Sequence, residues 1–190
     1  MFDSFVPVAP MPEESFARFG SRVPQEFVQA WRDHGTGFIG DGYFRLVDPG
    51  RAVAMLGTAG PFPQDWVVLL ATAMADLVAW RDGLFMVAKT RLGQIHASSQ
   101  SAAAVLELLA DKPGYRDVIW DHQPYPAARD RLGVPAFEEC FMHVPLLGMG
   151  GRGDPGQMQL GGLWPHIALM TQLTGDPQLT RMLPTAEGLT

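Results

Sequence analysis

Apolar positions in the first part of the chain follow a helical period. Phe27, Ala30 and Trp31 recur at spacings of three and four residues, which places them on one face of a helix. Pro24 suits the first helical position, where its missing N–H costs nothing, and Gly35 suits the left-handed residue after a helix end. The pattern predicts a short helix with one buried face.

A turn and a strand are predicted directly after this helix. Four glycines within residues 35–42 indicate a turn, and the aromatic and branched residues 43–47 are typical of a strand. Asp48 and Pro49 then predict the N-cap and the first residue of a second helix.

Apolar runs separated by turn residues follow beyond residue 65. Residues 66–73, 77–80, 84–88 and 94–97 predict strands, and Asp-Gly at 82–83 predicts a hairpin turn. This succession indicates an antiparallel meander with one face on the core.

The remainder of the chain returns to helical spacing. Ser101 predicts a helix cap, and residues 141–147 predict a strand or a buried extended segment. Residues 148–162 predict a glycine-rich loop, and residues 165–175 predict a closing helix. The residues after Asp176 show little pattern and predict a loose tail.

These patterns predict an α+β protein, with an antiparallel β-sheet meander flanked by short helices. The Gly-Pro-Phe-Pro cluster at residues 60–63 predicts a boundary between two subdomains packed as one globular unit. The predicted regions are 1–60, 61–176 and a tail at 177–190. A chain of 190 residues, 47% of them hydrophobic, is long enough to bury a core.

The charge balance limits the partners of this protein. A net charge of −6 argues against direct binding of nucleic acid, which needs a basic face, and permits a basic protein partner. The single cysteine, Cys140, excludes an internal disulfide. The N-terminal residues lack the basic start of a signal peptide, and the longest apolar run is too short to cross a bilayer. We therefore expect a soluble, cytoplasmic protein that does not bind membranes.

Groups with catalytic or ligand-binding chemistry are sparse in the sequence. Residues 148–153 match G-x-G-x-x-G, but turn residues follow where a dinucleotide site needs a helix N-terminus. Cys140 and His143 supply at most half of a tetrahedral zinc site. We expect no cofactor, no metal and no catalysis. The alternatives are a small enzyme that uses Cys140 and His143 with Asp121, and a purely structural module.

Several motifs occur in a recognisable order. A proline-led helix with Trp31, Gly-Asp-Gly at residues 40–42, an aromatic strand and Asp48-Pro49 resemble the GAD-like domain. Residues 72–80, 145–151 and 166–175 resemble the domain that usually follows it in immunity proteins of type VI secretion systems. The resemblance covers about residues 12–175. The chain departs from the family at Met74-Ala75, where Phe-Gly is usual, and at Arg45, where an aromatic residue is common.

The resemblance implies a function in protein–protein inhibition. Proteins of this family are encoded beside secreted DNase toxins, and they protect the producing cell by binding the cognate toxin stoichiometrically. It implies a monomer or a one-to-one heterodimer with the toxin. The residues that we predict on the toxin-contacting surface are Asp33, Asp41, Tyr43, Arg45, Asp76 and Asp82.

Overall fold

An eight-stranded sheet organises the fold. The computed structural model describes residues 2, 4–57, 65–98, 101–109, 117, 120–175 and 177–182. The strands of the sheet, with their bounds, are β1 (Phe5–Ala9), β2 (Thr36–Ile39), β3 (Phe44–Leu46), β4 (Val67–Thr72), β5 (Leu77–Arg81), β6 (Leu84–Lys89), β7 (Gln94–Ser98) and β10 (Gln178–Met182). A separate antiparallel pair consists of β8 (Glu139–His143) and β9 (Met158–Gly162).

The helices complete an α+β fold, as predicted. They are α1 (Glu13–Phe19), α2 (Gln25–His34), α3 (Pro49–Leu56), α4 (Ala102–Leu108), α5 (Pro124–Leu132) and α6 (Leu163–Thr174). The strand order is β1-β2-β3-β4-β5-β6-β7-β10, with every pair antiparallel except β7 and β10. Among the described residues, no helix is long and apolar enough to span a bilayer.

The meander from β4 to β7 is confirmed, but it is covered more fully than predicted. All six residues of β4 are buried, because α2, α4 and α5 supply core residues on one face and α3 and α6 do so on the other. A strand that is covered on both faces reads as a continuous apolar run. Asp82 (φ 48°) and Gly83 (φ 86°) form the predicted hairpin turn.

Local capping explains where two helices begin and end. The Asp48 carboxylate accepts hydrogen bonds from the amides of Gly50 (2.9 Å) and Arg51 (3.1 Å), so it caps α3 as predicted. Pro24 is the N-cap of α2 and not its first helical residue. Gly35 adopts φ 69° after α2, and a Cβ there would lie 2.2 Å from the Ala9 carbonyl oxygen.

Four strands lie where the sequence predicted none. β1 occupies the N-terminal segment, β2 part of the predicted glycine-rich turn, β9 part of the predicted loop, and β10 part of the predicted tail. The predicted boundary at residues 60–63 lies outside the described residues. The sheet is nevertheless continuous between the first two predicted regions, since β3 pairs with β4.

The antiparallel order gives the sheet two chemically different ends. We call the end that carries the β2–β3, β4–β5 and β6–β7 turns the turn end, and the opposite end, with the β5–β6 hairpin and the start of β2, the hairpin end. Residues 40–43, 73–76 and 90–93 lie at the turn end. The C-terminus of α2 reaches the hairpin end, because Gly35 leads directly into β2.

His166 makes the stability of the fold dependent on pH. Its side chain on α6 is buried, and burial followed by the nearby His143 lowers its pKa to about 4. The unfolded chain, with a histidine pKa of about 6.5, therefore gains protons first as the pH falls. We expect the free energy of unfolding to decrease by about 2–3 kcal/mol between about pH 7 and about pH 4.5 through this residue alone.

Urea unfolding of the parent and of His166→Leu at both pH values measures this contribution. The variant should lose less stability on acidification, because it lacks the buried imidazole that binds protons more readily in the unfolded chain. Equal losses in the two proteins would show that His166 is accessible to protons in the native state.

Candidate functional site

The residues predicted to contact a toxin fall at opposite ends of the sheet and at different depths. Asp33 and Asp82 lie at the hairpin end and are exposed, whereas the other four lie at the turn end or within β3. Tyr43, Arg45 and Asp76 expose 0%, 0% and 1% of their surface. A partner cannot reach these three side chains while the fold is intact, so the prediction is wrong for them.

Asp76 belongs to a buried network of charges at the turn end. Its Oδ1 and Oδ2 accept hydrogen bonds from Arg91 Nε (3.3 Å) and Nη2 (3.0 Å), a bidentate arrangement. Arg91 Nη2 also donates to Asp121 Oδ2 (3.1 Å), which accepts a further bond from Lys89 Nζ (2.7 Å). Burial raises the pKa of the Asp76 carboxyl, and Arg91 opposes that effect. Two carboxylates thus balance two cations.

The β4–β5 turn directs Asp76 inward. The Thr72 hydroxyl accepts hydrogen bonds from the amides of Met74 (3.2 Å) and Asp76 (3.1 Å). The Thr90 hydroxyl donates to the carbonyl of Ala75 (3.0 Å). Ala75 has φ 62°, a left-handed conformation that favours glycine, which accounts for the glycine usual in the resembled family. The conformation of the turn therefore places the Asp76 carboxylate beside Arg91 in the interior and not on the surface.

Tyr43 anchors the segment that covers the turn end. Its hydroxyl donates to the carbonyl of Trp120 (2.5 Å), and its ring packs edge-on against the rings of His122 and Tyr125 at centroid distances of 4.8 and 5.0 Å. Burial, with a further contribution from Asp76, raises the pKa of the Tyr43 phenol above its usual range. Tyr43 therefore has a structural role in the core.

Arg45 joins β3 to the start of β8. Its Nη1 donates to the carbonyls of Phe137 (2.8 Å) and Glu139, and its guanidinium lies 5.5 Å from the centre of the Phe38 ring. Burial lowers the pKa of Arg45 to about 10. The position is enclosed, which fits the aromatic residue common there in the resembled family.

Asp41 is half-buried, and its carboxylate faces the side chains of Arg129 and His122 of the same chain. Its Oδ2 lies 3.6 Å from Arg129 Nη1 and 3.6 Å from His122 Nε2. Its Oδ1 accepts a hydrogen bond from the Tyr43 amide (3.2 Å). A carboxylate that is held in this way is less available to a partner than a solvated one. The contact role of Asp41 stays a prediction.

The exposed pair at the hairpin end has different surroundings. Asp82 exposes 85% of its side chain and lies 3.4 Å from Arg81 Nε. Asp33 Oδ1 accepts a hydrogen bond from Gln29 Nε2 (2.7 Å), one turn earlier on α2. Asp33 also lines an open groove, which makes it the predicted residue best placed to meet a partner.

This groove lies between the end of β1 and helices α1 and α2, and we call it the β1 groove. It has a volume of about 690 Å³ and is lined by residues 7–11, Glu13, Phe16 and residues 31–35. The Arg32 guanidinium lies 5.9 Å from the centre of the Phe16 ring. Sequence reasoning did not find the groove, because its walls come from segments whose packing no local pattern encodes.

The residues of the alternative enzyme hypothesis do not form a catalytic group in this arrangement. Cys140 and His143 are three residues apart on β8, a spacing that places side chains on opposite faces of a strand. Cys140 is buried, and burial raises the pKa of its thiol to about 12, so the reactive thiolate is disfavoured. Asp121 is engaged with Lys89 and Arg91.

The glycine-rich segment lacks the geometry of a nucleotide site. The glycines of residues 148–153 are followed by a short 3-10 turn (Pro155–Gln157) and then by β9, so no helix N-terminus stands behind them. In the part of the chain that the structure describes, no group of three or more His, Cys, Asp or Glu side chains is placed to hold a metal.

Comparison with known proteins finds solved structures with a similar fold and one matching family model. No curated protein sequence matches the chain. The crystal structure of Atu4351 from Agrobacterium tumefaciens is similar, with a TM-score of 0.68 and 17% sequence identity, over 96% of this chain and 91% of that chain. At this identity the likeness concerns the fold alone. Residues 2–93, from β1 to the turn before β7, match the family described as the GAD-like domain.

Proposed function

We propose that this protein is an immunity protein that neutralises a secreted DNase toxin of a type VI secretion system by one-to-one binding in the cytoplasm. The GAD-like match over residues 2–93 is compatible with this role. The order of motifs over residues 12–175 supports the toxin class. Such an inhibitor either covers the nuclease site or holds its parts in an inactive arrangement.

The distribution of charge carries the proposal. Among the described residues, the buried charged side chains are the cations Arg45, Lys89 and Arg91 and the carboxylate Asp76. These four contribute a net charge of +2 to the total of −6, so all other charged side chains together carry −8. The fold thus places cations inside and leaves an excess of carboxylates elsewhere.

An acidic exterior suits a nuclease as partner. A DNase presents cationic side chains wherever it follows the phosphates of its substrate. Opposite charge on the two proteins raises the rate of their encounter and favours docking in one orientation. The enzyme alternative has no such support, since the Cys140 thiol is buried with a raised pKa.

The expected result is an association rate that depends on salt. Association with a catalytically inactive form of the DNase that the resemblance implies in a neighbouring gene should slow as the salt concentration rises, because ions screen the opposite charges. The dissociation rate should change much less, since contacts at short range are screened weakly. Surface plasmon resonance at several salt concentrations measures both rates.

Two results would contradict the proposal. The absence of binding to that nuclease at low salt would remove the assigned partner. A salt-independent association rate would remove the role of charge in the encounter.

A further inference from the structure

We propose that the β1 groove is the docking site for the nuclease, and that Glu13 and Asp33 receive a lysine or arginine side chain of the toxin. The inference rests on the proposed function and deepens it by naming the contact surface. It commits to one occupant, a basic side chain on a surface loop of the partner.

The groove has the charge that such an occupant requires. Its lining carries the carboxylates of Glu13 and Asp33, both on exposed residues, against the single guanidinium of Arg32. Helix α2 ends in the same lining, and the C-terminal end of a helix carries a partial negative charge that favours cations. Two acidic residues and a helix terminus therefore lie at the rim of the same open space.

An aromatic ring in the lining adds a second contact for a cation. Phe16 is half-buried at the groove and packs edge-on against Trp31 at a centroid distance of 6.1 Å. Arg32 lies 5.9 Å from the centre of this ring, so an incoming cation has to share the ring with that guanidinium or displace it. Carboxylates beside an aromatic face are the surroundings in which arginine binds by hydrogen bonds and stacking together.

The exposed edge of β1 makes it easier for the partner to insert a side chain into the groove than to pair a strand with β1. The Ser4 carbonyl accepts a hydrogen bond from the Gly40 amide (2.9 Å), and alternation along the strand turns the backbone of Val6 toward β2 as well. Pro7 then faces outward, and it has no N–H to offer. The register also shifts between Pro7 and Ala9. An edge with a proline and a bulge pairs poorly with a further strand.

The test compares two double variants that change the net charge equally. Glu13→Gln/Asp33→Asn removes the carboxylates of the groove. Glu14→Gln/Glu26→Gln removes two exposed carboxylates from the same helices, α1 and α2, outside the groove lining. Calorimetry with the same inactive DNase gives the dissociation constant of each, and thermal melts establish that both fold.

We expect the groove variant to raise the dissociation constant at least tenfold and the control variant to raise it less than threefold. An unchanged constant for the groove variant, or equal weakening by both variants, would overturn the groove as docking site and leave the proposed function standing. If the unmodified protein does not bind the nuclease, the proposed function and the inference fall together.

Discussion

Asp76→Asn is expected to lower the free energy of unfolding by about 3–5 kcal/mol, the range for removing one partner of a buried ion pair. The change leaves the buried Arg91 guanidinium without its bidentate partner, and only Asp121 remains to balance Arg91 and Lys89. The positive charges of Arg91 and Lys89 are then only partly neutralised inside the protein, and this unbalanced buried charge lowers the stability of the folded state. Urea unfolding monitored by tryptophan fluorescence measures it.

Asp82→Asn is the matched control for this substitution. Asp82 is exposed in a hairpin turn with φ 48°, a conformation that asparagine tolerates, so its change should stay within about 0.5 kcal/mol. A double-mutant cycle with Arg91→Leu should show coupling above about 1 kcal/mol between Asp76 and Arg91. If Asp76→Asn is as stable as Asp82→Asn, the ion pair does not contribute to folding.

Trp31→Ala is expected to cost about 3–5 kcal/mol of stability, as for other buried aromatic residues cut to alanine. Trp31 exposes 1% of its surface on the face of α2 that Phe27 and Ala30 share, and Phe16 packs against its ring. The truncation leaves a cavity between α1, α2 and the sheet. Thermal and urea unfolding both report the loss.

Trp31→Phe separates lost volume from other effects. The smaller ring retains most of the contacts and removes an indole Nε1 that has no hydrogen-bond partner among the described residues, so its cost should be well below that of alanine. Melting of Trp31→Ala within a degree or two of the parent would contradict the burial of this helix face.

Sequence reasoning succeeded where one local signal determined the structure. The spacing of Phe27, Ala30 and Trp31 predicted α2, and Asp48-Pro49 predicted the start of α3. The segments of β4 to β7 were predicted as strands, because each contains branched or aromatic residues and is bounded by turn residues.

The missed strands have no comparable signal. β2 contains Gly37, which reads as a turn residue, yet a Cβ there would lie 2.6 Å from the Phe5 ring of β1, so the glycine permits close pairing. All five residues of β10 are exposed, so the strand has no apolar alternation to detect. The strand β10 is recognisable only from its backbone pairing with β7 at the edge of the sheet.

Tyr43, Arg45 and Asp76 were mispredicted as contact residues because burial is a long-range property. Tyr43 and Asp76 sit in turns, where sequence predicts exposure, but residues 120–125 from much later in the chain cover that end of the sheet. Arg45 is enclosed by β8 in the same way. Asp33, at the end of a helix with one buried face, is exposed as predicted and lines the β1 groove.

A titration of nuclease activity with the purified protein tests the central claim most directly. The DNase proposed as its partner is held at a fixed concentration well above the dissociation constant, and DNA cleavage is followed as the protein is added. We predict that activity falls linearly and reaches zero at one equivalent, as a stoichiometric inhibitor requires. Full protection at a small fraction of an equivalent would mean turnover, and undiminished cleavage at excess protein would mean no inhibition; either result would contradict the account.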